Sequence, residues 1–160
     1  MPAATANPYI NLELKIPKQY FEDFEKYTSR FKAEDGSAKD IDRSPFDLYV
    51  DFWWVAIGVG VCEGRVSNTE DLKKFVTGVV LSQDPWRITH LELLAIAYTG
   101  SPDVIGRPGE VIEIANGYAA IGVPILVEML LKKSEPIWDV SNCLRKFAES
   151  HQPEVAAASE

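Results

Sequence analysis

The sequence predicts a mainly α-helical fold, a compact bundle of about six helices preceded by a short N-terminal β-strand. Apolar residues recur every three or four positions over most of the chain, which is the period of helices with one buried face. Only the segment 11–16 alternates polar and apolar residues as a strand does. Hydrophobic residues make up 46% and charged residues 25% of the chain, a balance typical of a packed globular domain.

One domain is predicted over residues 9–150. The chain has 160 residues, a length that one hydrophobic core can serve, and it contains neither a repeat period nor a low-complexity linker. Residues 1–8 are small and polar with two prolines, and residues 151–160 end in alanine and acidic residues. Both ends are therefore expected to be flexible tails.

The N-terminal strand is predicted to lead into a helix. In the strand, Leu12, Leu14 and Ile16 share one face. Pro17 suits the first turn of a helix, and an aromatic stripe follows at helical spacing. The stripe consists of Tyr20, Phe24, Tyr27 and Phe31. The polar segment 32–44 then predicts a mobile loop.

A central buried helix is predicted over residues 45–61, which are apolar on nearly every side. The end of this segment is rich in β-branched residues and glycine, so a strand there stays an alternative. Asp47 and Asp51 lie one helical turn apart. We interpret them as negative charges that stabilise the start of a helix rather than as cation ligands.

Two capping boxes predict the next helices. Ser67 with Glu70 predicts one helix, and Thr89 with Glu92 predicts another that ends at Gly100. The first helix would bury Leu72, Phe75, Val76 and Val79, and the second would bury Leu91, Leu94, Ala95 and Tyr98.

The C-terminal part predicts a long apolar helix and a final amphipathic one. The long helix covers residues 110–132, where Gly117, Gly122 and Pro124 predict a kink or a break near Gly122. The final helix follows a cap at Ser134 and has an apolar stripe. The stripe consists of Ile137, Val140, Leu144 and Phe147.

The charge of the chain argues against binding to nucleic acids or membranes. The 24 acidic and 16 basic residues give a formal net charge of −8, and the basic residues form no strong run. We find neither a signal peptide nor an apolar stretch long enough to span a bilayer, so a cytoplasmic location is expected. Cys62 and Cys143 lie in apolar helical patterns that predict free thiols rather than a disulfide framework.

The sequence contains no recognisable catalytic machinery. Gly58, Gly60 and Gly64 are spaced one residue too long for a dinucleotide-binding loop, and no βαβ unit surrounds them. His90 has no companion nucleophile, and we interpret it as a surface residue at a helix start. No histidine and cysteine set has metal-ligand spacing. We therefore expect no catalytic residues, no cofactor and no metal ion.

Tryptophans provide the candidate binding residues. Trp53 and Trp54 are neighbours on one predicted helix, so they cannot both face the same direction. Trp86 and Trp138 lie at predicted helix starts, where tryptophan either staples the entering chain or anchors a partner protein. We take Trp86 and Trp138 as the candidate partner-binding residues.

An alternative function follows from the order strand, helix, helix in residues 11–61. This order fits the ribbon-helix-helix fold, in which paired strands of a dimer enter the DNA major groove. Asn11, Glu13 and Lys15 would then form the DNA-binding face. The polar loop before Pro45, the acidic Glu13 at the groove and the many remaining residues argue against this alternative.

A family resemblance is found in residues 91–131. It rests on Ala95-Ile96-Ala97, Pro102-Asp103-Val104, Ile114-Ala115, Tyr118-Ala119, Gly122 and a leucine-rich helix end. With these residues the chain resembles small proteins associated with bacterial DNA phosphorothioation (Dnd) systems. Those proteins also begin with a short strand and a helix.

The resemblance implies a component of a bacterial anti-phage defence island. Such a component works beside larger proteins that supply ATPase, nuclease or modification chemistry, and no catalytic residue is carried over to this chain. The acidic surface fits an interaction role. The leading hypothesis is therefore a non-enzymatic adaptor or regulatory subunit that binds a larger protein of the same system, as a monomer or as a homodimer.

Overall fold

The computed structural model describes residues 7–28, 45–68, 70–131 and 136–150. Within these ranges the chain forms five α-helices, three short 3-10 helices and one antiparallel sheet of two strands. In chain order the elements are β1 (Glu13–Pro17), a 3-10 helix (Lys18–Tyr20), α1 (Phe21–Lys26), α2 (Tyr49–Glu63), β2 (Leu72–Thr77), a 3-10 helix (Gly78–Gln83), α3 (Pro85–Thr99), a 3-10 helix (Pro102–Gly106), α4 (Pro108–Leu131) and α5 (Pro136–Ser150). The predicted mainly helical fold with a short N-terminal strand is therefore confirmed.

Helix α4 lies at the centre of the fold. It packs against α2, α3, α5 and β1, as expected for a helix that is apolar around most of its circumference. Contrary to the sequence-based expectation, its length and composition would allow it to cross a membrane. However, 67% of its most apolar stretch is buried inside the described fold. This burial is consistent with the core helix of a soluble protein.

Glycines set the distance between α2 and α4. A Cβ atom at Gly60 would overlap the backbone carbonyl of Tyr118, and a Cβ atom at Gly122 would overlap that of Ala56. The two helices therefore pack backbone against backbone, which side chains at these positions would prevent.

Because α4 is one continuous helix, the predicted break near Gly122 is wrong. Gly122 does not end a helix; its missing side chain allows the close packing against α2. Pro124 lacks a backbone N–H group and removes one hydrogen bond from the helix. Contacts of α4 with α2, α3 and β1 stabilise the helix despite this loss.

Aromatic side chains fill the space between α1, α2 and β2. The buried ring of Phe24 stacks on Tyr49 with 4.7 Å between the ring centroids. It meets Phe52 and Phe75 edge-on, at 5.2 and 4.9 Å. Tyr27 is also buried, so this part of the predicted aromatic stripe faces the core.

The two strands pair in antiparallel fashion, with Glu13 opposite Thr77 and Pro17 opposite Leu72. The other edge of β1 is closed by the side chain of Asn116 in α4. Its Oδ1 accepts the backbone N–H of Lys15 at 2.9 Å, and its Nδ2 donates to the carbonyl oxygen of Glu13 at 3.0 Å. Asn116 is only 5% exposed, so its own buried amide finds partners in these two strand groups.

The helix predicted after Ser67 is wrong, because residues Leu72–Thr77 form β2. The end of this segment is aromatic and β-branched, so it suits a strand as well as a helix. The strand β1 needs a partner, and the N–H of Gly78 extends the pairing by donating to the carbonyl of Leu12 at 2.8 Å. Pairing between distant segments therefore outweighs the local capping pattern.

Helix α2 spans Tyr49–Glu63, so it begins four residues later than predicted. Asp51 lies in its first turn, as predicted, and its carboxylate accepts the N–H of Leu48 at 3.1 Å. Asp47 precedes the helix. The alternative of a strand at the end of this segment is wrong, because the helix continues to Gly64, where φ is 69°.

Helix α3 begins at Pro85, four residues before the predicted start at Thr89, because proline is favoured in the first turn of a helix. It ends at Gly100, as predicted, where φ is 71°. Tyr98 was expected to face the core but is 52% exposed. Its ring meets Tyr118 edge-on at the end of the helix, with 6.1 Å between the centroids.

Several predicted features lie outside the described residues. They are Phe31, the loop 32–44, the cap Ser134 and the tail 151–160. Asn7, which falls in the other predicted tail, donates a hydrogen bond to the carbonyl of Gly78 at 2.9 Å, so contacts with the fold begin before residue 9. In α5, Leu144 packs against the core.

The backbone contact between α2 and α4 predicts opposite effects at two glycines of one helix. Gly60→Ala is expected to lower the free energy of unfolding by about 1–3 kcal/mol, because the new methyl group must displace a carbonyl of α4. At Gly58, no atom lies within 4 Å of the added Cβ atom. Gly58→Ala is therefore expected to raise the free energy of unfolding by about 0.5–1 kcal/mol. Urea denaturation followed by circular dichroism measures the free energy of unfolding of both variants. Equal changes in the two variants would contradict the backbone contact between α2 and α4.

The role of Asn116 is tested by Asn116→Leu, which keeps the side-chain size but removes the donor and the acceptor. We expect a loss of about 2–4 kcal/mol in the free energy of unfolding, because two backbone groups of β1 lose their partners. Asn142→Leu at an exposed position of α5 is the control and should change stability by less than about 0.5 kcal/mol. Similar stabilities of the two variants in thermal and urea denaturation would rule out the role of Asn116.

Candidate functional site

Two tryptophans from different helices meet at the surface. The rings of Trp54 in α2 and Trp86 in α3 are nearly perpendicular, with 5.3 Å between their centroids. Trp86 is 48% exposed and Trp54 is half-buried. The neighbouring Trp53 is fully buried, which resolves the question of which member of the Trp53–Trp54 pair reaches the surface.

The guanidinium group of Arg87 lies beside the rings of both Trp54 and Trp86. Its Cζ atom is 5.7 Å from the ring centroid of Trp54 and 5.2 Å from that of Trp86. Only 9% of the Arg87 side chain is exposed, so its charge requires partners within the protein. Nη2 donates to Oδ1 of Asp51 at 2.6 Å, and Nε lies 3.4 Å from Oδ2 of Asp84.

Arg87 is not fully satisfied by these contacts. Among the residues that the structure describes, Nε and Nη1 are buried and have no hydrogen-bond acceptor, since the Asp84 contact is an ion pair without hydrogen-bond geometry. The cost of these unpaired donors is offset by the Asp51 ion pair and by the stacking of the guanidinium on two rings.

His90 completes the cluster one turn along α3. Its Nδ1 lies 2.7 Å from the carbonyl oxygen of Trp86. Its ring stands perpendicular to both indoles, with centroids 5.6 Å from Trp86 and 6.3 Å from Trp54. The exposed position agrees with the surface role that we predicted for His90. We call Trp54, Trp86, Arg87 and His90 the tryptophan surface.

Apolar residues extend the tryptophan surface along both helices. In α3, the exposed Leu93 and Ala97 follow Trp86 at helical spacing, on the same side. In α2, the exposed Gly58 and Val61 follow Trp54 in the same way. Exposed apolar residues near a tryptophan mark interaction sites in many proteins.

The two predicted binding tryptophans have different outcomes. Trp86 is exposed at the start of α3, where the sequence placed it. Trp138 lies in α5, but its side chain is outside the described part of the chain. Sequence reasoning did not identify Trp54 and Arg87 as members of the site. The one available signal was a basic residue directly after Trp86; its partner Asp51 is 36 residues away.

The residues of the DNA-binding alternative lie at the sheet. Asn11 and Glu13 are exposed and Lys15 is half-buried. The Glu13 carboxylate pairs with Lys15 at 3.2 Å and with Lys74 at 3.4 Å, and hydrogen bonding from Lys15 lowers the pKa of Glu13. Because β1 has β2 on one edge and Asn116 on the other, it offers no free edge to the strand of a second copy. This geometry argues against a ribbon-helix-helix dimer.

In the described part of the chain, no group of three or more histidine, cysteine, aspartate or glutamate residues is arranged to hold a metal ion. Comparison with protein-family models, with curated proteins and with solved structures gave no match. The function is therefore argued from the tryptophan surface itself.

The two ion pairs of Arg87 predict that removing the charge of Asp51 or of Asp84 lowers stability by different amounts. Asp51→Asn is expected to lower the free energy of unfolding by about 1–3 kcal/mol, because Arg87 keeps its buried charge and loses its nearest counterion. Asp84→Asn is the matched control, since its carboxylate is farther from Arg87 and makes no cap hydrogen bond to α3. The free energy of unfolding of Asp84→Asn should fall by less than about 1 kcal/mol. Equal losses in urea denaturation would show that Asp51 is not the main partner of Arg87.

Proposed function

We propose that this protein is a non-enzymatic adaptor or regulatory subunit that binds a larger protein through the tryptophan surface. One observation carries the proposal: Trp86 is half exposed, yet its ring lies within about 6 Å of the Trp54 ring, the Arg87 guanidinium group and the His90 ring. A tryptophan that only stapled the start of its helix would not need this support from a second helix.

The energetics of binding support this use of Trp86. Tryptophan and arginine are enriched among the few residues that provide most of the affinity in protein interfaces. A side chain that is already fixed loses little conformational entropy when a partner covers it. The apolar residues along α2 and α3 would exclude water around this anchor.

The biological setting is proposed from the resemblance in residues 91–131. It supports membership of a bacterial anti-phage defence system associated with DNA phosphorothioation, located in the cytoplasm. The partner would then be a larger protein of the same system that supplies the chemistry. The net charge of −8 supports a protein partner over direct binding to nucleic acid.

The proposal is tested by affinity purification of the tagged protein from cells that express its genomic neighbourhood. Proteins retained after a moderate salt wash are identified by mass spectrometry. We expect a larger protein to be retained in stoichiometric amount. A protein that is purified alone would contradict the adaptor function.

The contribution of Trp86 is tested by titration calorimetry with the identified partner. Trp86→Ala is expected to weaken binding by about 30-fold or more, since a central tryptophan contributes about 2 kcal/mol or more to such interfaces. Ile105→Ala removes a comparably exposed apolar side chain from the 3-10 helix after α3 and should leave the affinity unchanged. Equal effects of the two substitutions would place the interface elsewhere.

A further inference from the structure

An open groove lies beside the sheet, away from the tryptophan surface. Its volume is about 640 Å³. The lining comes from β1, β2, residues 66–68 and Glu70, the last turn of α3 and the first half of α4. The groove is large enough to receive several side chains of a bound peptide segment.

Fixed contacts hold the groove in shape. The N–H of Ser67 donates to the carbonyl of Gly117 at 3.1 Å, and a Cβ atom at Gly117 would overlap the side chain of Val66. The segment before β2 therefore rests directly on α4. Asn116, from the same turn of α4, holds the backbone of β1. A ligand would meet walls that are already in place, which reduces the entropic cost of binding.

Part of the groove is apolar. Ile114 is buried in its floor, while Val66 and Leu72 are half-buried along its length. Tyr98, more exposed, lies at the end of α3. These side chains can cover aliphatic groups of a bound segment.

The charge of the groove is negative. Three glutamates and one lysine contribute to the lining, and Glu110 and Lys15 each have an ion-pair partner of their own. The hydrogen bond from Arg107 holds the pKa of Glu110 below its usual range. The carboxylates of Glu70 and Glu113 have no ion-pair or hydrogen-bond partner among the described residues. Charge complementarity therefore favours a cationic ligand.

We propose that this groove binds a segment of another protein in which arginine or lysine residues alternate with aliphatic residues. We call it the acidic groove, defined by Glu70, Glu113, Val66, Leu72 and Ile114. The basic side chains of the bound segment pair with the two free carboxylates. Its aliphatic side chains lie against the apolar floor.

The acidic groove is a second site, independent of the proposed function of the tryptophan surface. Trp86 lies in the first turn of α3 and Tyr98 in the last, twelve residues later. At 1.5 Å per residue the two positions are about 18 Å apart along the helix axis. A substitution in one site therefore leaves the other in place.

The test uses the full chain and a short fluorescent peptide of alternating arginine and leucine. Binding is read by fluorescence anisotropy at low ionic strength. The double variant Glu70→Gln/Glu113→Gln is expected to weaken binding about tenfold, because both unpaired carboxylates of the groove are lost. Both residues are exposed, so the fold should be retained, which circular dichroism verifies.

The matched control is Glu22→Gln/Glu149→Gln, which removes the same charge from exposed positions of α1 and α5. The affinity of this control variant for the peptide should stay within about twofold of that of the unmodified protein. If both double variants bind the peptide equally weakly, the proposal is overturned. The peptide would then be attracted by the overall negative charge of the protein rather than by the groove. Equal affinity for a peptide of alternating arginine and serine would also overturn it, because the apolar floor would then contribute nothing.

The remaining outcomes identify other occupants. If the full chain does not bind the peptide at low ionic strength, the proposal is wrong. Self-association that is lost in Glu70→Gln/Glu113→Gln would identify a second copy as the occupant. Trp86→Ala should bind the peptide normally, so that failure of the tryptophan surface and failure of the acidic groove are distinguished.

Discussion

The backbone contact between α2 and α4 is the constraint on which the rest of the structure depends. Gly60 and Gly122 remove the side chains that would keep the helices apart, and each faces a carbonyl group of the other helix. Once α2 lies this close, α4 is covered on one side and is free to hold other elements on its remaining sides. The side chain of Asn116 is hydrogen-bonded to β1, and the carbonyl of Gly117 is hydrogen-bonded to the segment before β2. Helix α4 thus positions the sheet, helix α2 and the segment before β2.

Both candidate sites are products of this arrangement. The tryptophan surface forms because α2 and α3 bring Trp54 against Trp86, and the acidic groove forms where α4, the sheet and the end of α3 meet. Each combines apolar area with charge, and Trp86 of the first and Tyr98 of the second lie at opposite ends of α3. Two such surfaces on one small fold fit the proposed role of a protein that joins or regulates larger ones.

The sequence was informative wherever local forces decide the structure. Alternation predicted β1, an apolar run predicted α2, and Gly100 marked the end of α3. It was misleading at Leu72–Thr77, because that segment fits both a helix and a strand and only the distant β1 decides between them. The sites were harder still. Trp86 was identified from its place at a helix start, but the Arg87 ion pair and the acidic groove join segments that are far apart in the chain.

The closed edge of β1 has a consequence for behaviour at high concentration. A two-stranded sheet exposes two edges, and free edges recruit strands from other molecules into aggregates. Here the amide of Asn116 binds the N–H of Lys15 and the carbonyl of Glu13 on one edge, with a side chain that cannot extend the sheet. The other strand carries exposed Lys73 and Lys74, which disfavour stacking of identical strands. A mainly helical protein can thus keep a short sheet at its surface without amyloid-like growth.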